Sequence, residues 1–296
     1  MRKIDFIVTE ENISPNVGIF LKYKQGLSTR TIKALKLTET GITLNGKHIR
    51  TIDTIKVGDI ISVEIEDNPK EYIKSDTYVP VLYEDEDVVV FNKPFGMPSH
   101  QTKKHQTDTL GNVFATYCEK NNLKISFRPI NRLDTDTTGA VMIAKNSFSA
   151  YKLSKTMDKT YVGIISGCPK EKIGTVEANI DRVDEIGIRR YVSENSGQYA
   201  KTDYEVISTN GKFSFVKFKL HTGRTHQIRV HMSYLGYPLV GDPLYGGDMS
   251  VFNTQALHCA KLIFPQPVSD KIIAVKAPLP KNLKEFMEKH NLSSEF

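Results

Sequence analysis

Strand-length apolar runs outnumber helical segments in this 296-residue chain, and they often follow one another directly. DVVVFNKP (87–94), AVMIA (140–144), YVGIIS (161–166) and SFVKFKL (214–220) carry the β-branched and aromatic content of strands. In the last of these, Val216, Phe218 and Leu220 alternate with Lys217 and Lys219, which predicts a strand with one wet face. Helical spacing occurs at Leu110, Val113, Phe114 and Tyr117, and again at Ala150, Leu153 and Met157. The pattern argues against a doubly wound sheet. It predicts an α+β chain built on a mixed or antiparallel sheet.

A boundary falls near residues 67–80, DNPKEYIKSDTYVP, which hold two prolines and no sustained apolar period. It predicts a small α/β unit over residues 1–67, a linker over 68–80 and a large unit over 81–296. In the small unit Ser28 can cap a helix whose Ile32 and Leu35 share one face, with Arg30, Lys33 and Lys36 mostly away from it. Asn45-Gly46 between ITL and KHI is a strong hairpin signal. Val57-Gly58-Asp59 then makes a turn into the strand-like IISVEI, residues 60–65. Residues 22–50 carry seven Lys or Arg and a single acid, Glu39. A charge run is ordinarily a solvated face. A one-signed run on a compact helix-plus-hairpin unit reads instead as a nucleic-acid surface. The net charge of +6 and the pI of about 9.0 agree with a polyanionic partner.

Cys118, Cys168 and Cys259 are widely spaced and odd in number, which argues against a disulfide framework or a thiolate zinc site. The start, MRKIDFIVTEEN, lacks a signal-peptide core, and no window reaches the ~18 apolar residues of a membrane span. The expected location is the cytoplasm, with no membrane contact.

Three stretches concentrate polar groups. NRLDTDTTG (131–139) places Asp134 and Asp136 two apart beside Arg132, a cation that helps keep a carboxylate ionised. DKTYVGIISG (158–167) places Tyr161 at the start of an apolar strand. Residues 220–246 hold Arg224, Arg229, His221, His226 and His231. Read as a strand, the five-residue spacing puts neighbouring histidines on opposite faces, against a shared metal. There is no P-loop, no G-x-G-x-x-G after a strand and no G-x-S-x-G, so nucleotide cofactors and nucleophile-elbow hydrolysis are unsupported. Residue chemistry by itself leads to an RNA-binding enzyme, or an RNA-binding module, with an aspartate as candidate catalyst.

LSTRTIKALK, GITLNGKHI and IKVGDII resemble the S-four-type RNA-binding domain over residues 14–66. NRLDTDTTGAVMIAK, KTYVGIISG and HTGRTHQIRVHMSYLGYPLVGDPLYG resemble, in that order, the RluA-type pseudouridine synthases. VLYEDEDVVVFNKPFGMPSH (81–100) and ALHCAKLIF (256–264) fit the same family, and the likeness extends over residues 80–280. It implies the pseudouridine-synthase fold, with a mixed, largely antiparallel sheet. It also implies an isomerase that detaches uracil from ribose, rotates it and rejoins it through carbon 5, with no cofactor and no metal. Asp134 would attack the sugar or assist removal of its proton, Arg229 would pair with that carboxylate, and Tyr161 would stack on the base. Leu257 and Ile228 would line the pocket, and Arg132 would fill the gap left by the flipped uridine. Charge and position add Lys103, Lys104, His105 and Arg224 as phosphate contacts, beside Arg30, Lys33 and Lys36 of the small unit. One departure is Asn131, where the family commonly has His; it leaves the hydrogen bonding of that loop open. The expected partner is RNA, with large-subunit ribosomal RNA ahead of transfer RNA, and a monomer is the expected state. A non-catalytic ribosome-assembly factor is the alternative class. A metal-dependent hydrolase using Asp134, Asp136 and the histidines fails on ligand spacing.

Overall fold

Alternation begins at the first residues. Ile4 and Phe6 are buried while Lys3, Asp5 and Ile7 face out, so RKIDFI forms β1 (Arg2–Ile7). The computed structural model describes residues 1–184 and 187–294; residues 185 and 186, and the end of the large unit at 295 and 296, lie outside the described residues. After β1, α1 (Val17–Ile19) runs into a π-helical turn (Phe20–Lys24), followed by α2 (Thr29–Leu35). Ser28 caps α2 by accepting the Thr31 N–H at 3.0 Å. The buried face of α2 carries Thr31 and Leu35, with Ile32 half-buried; Arg30, Lys33 and Lys36 are exposed. β2 (Ile42–Leu44) and β3 (Lys47–His48) form the hairpin, with φ of 49° at Asn45 and 82° at Gly46, as a tight two-residue turn requires. β4 (Ile60–Ile65) completes an antiparallel sheet in the order β1-β4-β2-β3.

The large sheet contains β5 (Val81–Glu84), β6 (Val88–Lys93), β7 (Thr138–Ala144), β8 (Asp158–Ser166), β9 (Ile173–Arg182), β10 (Arg190–Ser193), β11 (Gln198–Thr209), β12 (Phe213–Leu220), β13 (Leu257–Pro265) and β14 (Ile272–Lys276). Its order is β10-β9-β11-β12-β8-β13-β7-β6-β5, with β14 also pairing β13. Every pair is antiparallel except β13 with β7, so the expected mixed, largely antiparallel sheet is present. That parallel contact explains Gly139. Its φ is +112°, and a Cβ there would lie 2.3 Å from the Cys259 carbonyl oxygen.

The helices are α3 (Leu110–Lys120), α4 (Ser147–Thr156), α5 (Gln227–Tyr234) and α6 (Lys281–Lys289). Met157 closes α4 in extended backbone instead of continuing it. The predicted wet face of β12 is confined to Lys217 and Lys219; earlier in the strand Phe213 and Phe215 are buried in the cluster that also holds Leu283, Phe286 and Met287 of α6. The stretch around Arg229 and His231 is helix α5, so the strand geometry used to weigh the histidine spacing does not apply there.

The two sheets are joined by polar and apolar contacts. Arg2 donates from Nε and Nη2 to the Asp87 carboxylate at 3.1 and 3.0 Å, and Asp87 is fully buried. Phe148 of α4 lies in the core of the small unit, edge-on to Phe6 at 5.9 Å between ring centroids. Residues 68–80 form no helix or strand, yet hydrogen bonds tie them down: Asn112 donates to the Ile73 carbonyl at 2.5 Å, and the Ser75 N–H donates to Thr116 Oγ1 at 3.1 Å. At the edge of this segment, Asp67 accepts from Ser126 and Arg128.

Candidate active site

The loop ahead of β7 presents Asp134 to a cleft of about 590 Å³, within the size range of small-molecule sites. A turn forms it, with the Thr137 N–H donating to the Asp134 carbonyl at 3.1 Å. Asn131 settles the loop bonding that the sequence left open: its amide donates to the Ala140 carbonyl and accepts the Met142 N–H, both at 2.9 Å. Ser99 Oγ accepts the Leu133 N–H at 3.1 Å and donates to the Leu133 carbonyl at 2.9 Å. Lys93, at the end of β6, donates to the carbonyls of Pro94, Met97 and Thr135 at 3.0, 2.7 and 2.9 Å. Burial brings its pKa down to about 7, against the opposing pull of Asp136 and Asp134. Lys93→Met leaves those carbonyls without their donor. We expect a loss of about 1–3 kcal/mol of stability, read by urea unfolding, together with slower turnover as the Asp134 loop loosens.

Arg229 projects from α5 and is itself buried. Nη1 donates to Asp134 Oδ2 at 3.0 Å. The two-pronged contact is with a different residue: Nε and Nη2 donate to the fully buried Asp242 at 2.7 and 2.8 Å. A planar guanidinium thus bridges two carboxylates. Asp134 is the one carboxylate among the described residues that line the cleft, where the cations are Arg132, Lys159, Arg224 and Arg229. Asp136 instead lines a separate small recess with Phe95, Thr138 and Gln255. Burial raises its pKa above the ordinary aspartate value.

Tyr161, Ile228 and Leu257 lie together on the cleft wall, each buried. Burial drives the Tyr161 phenol well above its ordinary pKa of 10.0, reinforced by the nearby Cys259 and Asp134. Its ring can pack against a flat ligand, and its hydroxyl is no base at neutral pH. Arg132 and Arg224 are exposed at the mouth; Arg224 Nε donates to the Tyr199 carbonyl at 3.0 Å. Lys103 and Lys104 are exposed on the loop that sends His100 and Thr102 into the cleft, but do not line it themselves, and His105 is paired with Asp108 at 2.6 Å. Arg30, Lys33 and Lys36 stand apart, on α2 of the small unit.

The profile of the RNA pseudouridylate synthase family matches residues 87–234, a span that holds Asp134, Tyr161 and Arg229. The chain belongs to the RNA pseudouridylate synthase family. This synthase is 33% identical over 298 residues to the uncharacterized RNA pseudouridine synthase YlyB of Bacillus subtilis, covering 97% of this chain and 98% of that one. It is 32% identical over 263 residues to ribosomal large subunit pseudouridine synthase D of Pseudomonas aeruginosa, covering 81% of each. The human RNA pseudouridylate synthase domain containing 4 structure shares the fold at a TM-score of 0.59 and 23% identity, covering 73% of this chain and 94% of that one. The synthase is an isomerase of the RluA type that acts on RNA.

Several groups in the synthase site were not singled out from the sequence. Asp242 lies in GDPLYG, a string quoted for its resemblance, and nothing local marks it as the partner of Arg229. Lys159 follows the apolar logic of a strand start, and only the fold turns it into the cleft. The three histidines have separate partners: His221 meets Asp203 at 2.5 Å, His231 meets Thr202 at 2.9 Å, and His226 meets Tyr245 at 2.8 Å. Of these, only His226 lines the cleft.

Proposed function

We propose that the synthase isomerises uridines of large-subunit ribosomal RNA, and that Asp134 carries the chemistry. The observation that carries the reading is that, among the described residues, a single carboxylate held by Arg229 faces a cleft lined by four Lys or Arg side chains. The cations suit the phosphates around a flipped nucleotide. In the reaction the N1–C1′ bond of the uridine breaks, the uracil turns within the cleft, and a C5–C1′ bond forms. The C5 proton then leaves and N1 gains one, so no oxidant or other reactant is consumed. Asp134, as carboxylate, either bonds to C1′ or takes a proton from the sugar. Tyr161, Ile228 and Leu257 pack on the base, and Arg132 fills the space vacated in the RNA. Arg224 contacts phosphate at the mouth, with Lys103 and Lys104 on the adjacent loop. The ribosomal assignment is supported by the large-subunit name of the Pseudomonas relative. Its test is a comparison of pseudouridine maps of total RNA from cells with and without the gene. We expect lost sites in large-subunit ribosomal RNA; losses confined to transfer RNA would replace that substrate with the alternative.

We further propose that residues 14–66 act as an S-four-type RNA-binding unit. The supporting observation is that Arg30 and Lys33 of α2 and Lys36 at its C-terminal cap are all exposed, beside a basic hairpin. Replacing the three by Glu leaves the core of the small unit untouched. We expect weaker RNA binding at low salt. The slope of log affinity against log salt should become shallower by about 2 to 3, as three phosphate contacts are lost. Unchanged affinity and slope would remove α2 from the RNA surface.

A further inference from the structure

His226 occupies an unusual place. Its backbone lies in the left-handed region, at φ 57° and ψ 21°, immediately before α5. That conformation is uncommon for a residue with a side chain and persists only where surrounding contacts enforce it. The strain turns the ring into the cleft wall, where its side chain is 10% exposed. Nδ1 lies 2.8 Å from Tyr245 Oη, and Nε2 lies 3.8 Å from Asp134 Oδ2.

The hydrogen bonds around Tyr245 are all satisfied by one placement of the ring proton. Tyr245 Oη accepts the backbone N–H of Arg190 at 2.9 Å. Its own single proton is free to point at His226 Nδ1, which then acts as acceptor. The neutral ring must in that case carry its hydrogen on Nε2, the nitrogen that faces Asp134. The surroundings as a whole favour the neutral form, although two carboxylates pull the other way. Desolvation holds the imidazole below the ordinary histidine pKa, Arg229 of α5 and Arg190 of β10 push the same way, and Asp134 and Asp242 oppose them.

Arg229 Nη1 also addresses Oδ2 of Asp134, the oxygen that His226 faces. Two donors converge on one oxygen, and among the described residues Oδ1 accepts no hydrogen bond. We propose that His226 is a positioning residue for the reaction: Tyr245 fixes its Nε2–H toward Asp134 Oδ2, and with Arg229 it turns Oδ1 toward the substrate sugar. A shift of under about 1 Å closes the Nε2–Oδ2 gap to hydrogen-bond length, a change typical of a site that tightens on substrate. The inference rests on Asp134 being the reacting carboxylate.

The experiment is single-turnover pseudouridine formation on total RNA from cells lacking the gene, with enzyme concentration varied to separate the maximal rate from half-saturation. His226→Asn tolerates the left-handed backbone and can still reach Tyr245, but its amide is too short for Asp134. We expect its maximal rate to fall about 30- to 100-fold, with half-saturation within twofold of wild type. His226→Gln places an amide N–H near the Nε2 position and should recover to within about fivefold of wild type. Tyr245→Phe should slow the His226 enzyme yet add little to His226→Gln, because an amide has no tautomer to fix. A His226→Asn rate within threefold of wild type overturns the proposal, as does a Gln variant no faster than Asn, or a loss confined to half-saturation. Asp134→Asn is run alongside. If it stays active, the reading of Asp134 fails and the role of His226 falls with it; if it is dead while His226→Asn is not, only the role of His226 fails.

Discussion

Asp134→Asn should lower pseudouridine formation by roughly 10⁴-fold or more while leaving the fold and RNA affinity nearly unchanged. The amide keeps the shape of the side chain and removes its nucleophilicity and basicity. The structure explains why stability should survive. Arg229 keeps its two-pronged contact with Asp242, so no buried guanidinium is stranded. Asp134 itself is partly exposed, with 27% of its side chain accessible. Release of tritium from carbon 5 of labelled uridine in RNA measures the rate. Turnover within tenfold of wild type, in enzyme free of host activity, would sink the assignment.

The pair Arg229 and Asp242 should respond in a different way, losing stability as well as rate. Asp242→Asn leaves a buried guanidinium facing a neutral amide, with the partly exposed Asp134 as its remaining carboxylate partner. Removing one charge of a buried pair costs about 3–5 kcal/mol, and urea unfolding should show a loss near the lower end. Arg229→Lys keeps the charge but cannot span both carboxylates, since an ammonium lacks the planar fork. We expect a rate loss of roughly 100-fold with RNA affinity within a few-fold. A Lys variant at near-normal rate would show that the bridge to Asp134 does not set the geometry of the site. These outcomes would separate two proposed jobs, chemistry at Asp134 and, at Asp242, support of the arm that orients it.

Local signals in the sequence carried the elements whose causes are local. Asn45-Gly46 forces a tight hairpin, Ser28 caps α2, and the apolar runs at 87–94 and 140–144 become the interior strands β6 and β7. Asp134, Tyr161 and Arg229 were legible through family likeness, and the fold brings all three to one cleft. What stayed hidden depends on partners remote in the chain. Arg2 and Asp87 are 85 residues apart, and neither has a neighbour that marks it as one half of a buried pair. Lys93 carries no local signal of its role, because its three carbonyl acceptors come together only when two loops meet. The helix at 227–234 carries no clear local signal for a related reason. Six consecutive residues from Gln227 to Met232 are buried, so the helix is enclosed on most of its surface and shows no amphipathic period. The two-pronged contact of Arg229 with Asp242, not Asp134, could not be chosen from spacing.

The position of β13 has a consequence for how the enzyme comes into being. This strand is drawn from residues 257–265 yet lies between β7 and β8, whose residues were made more than ninety positions earlier. Until it is threaded into place, β7 and β8 share no neighbour, and the loop bearing Asp134 has nothing to set it against Tyr161. Such late, long-range pairing makes for slow folding. A nascent chain would emerge with its basic small unit complete and its catalytic centre still open. The isomerase activity would therefore be born only near the end of translation, long after the small unit has emerged.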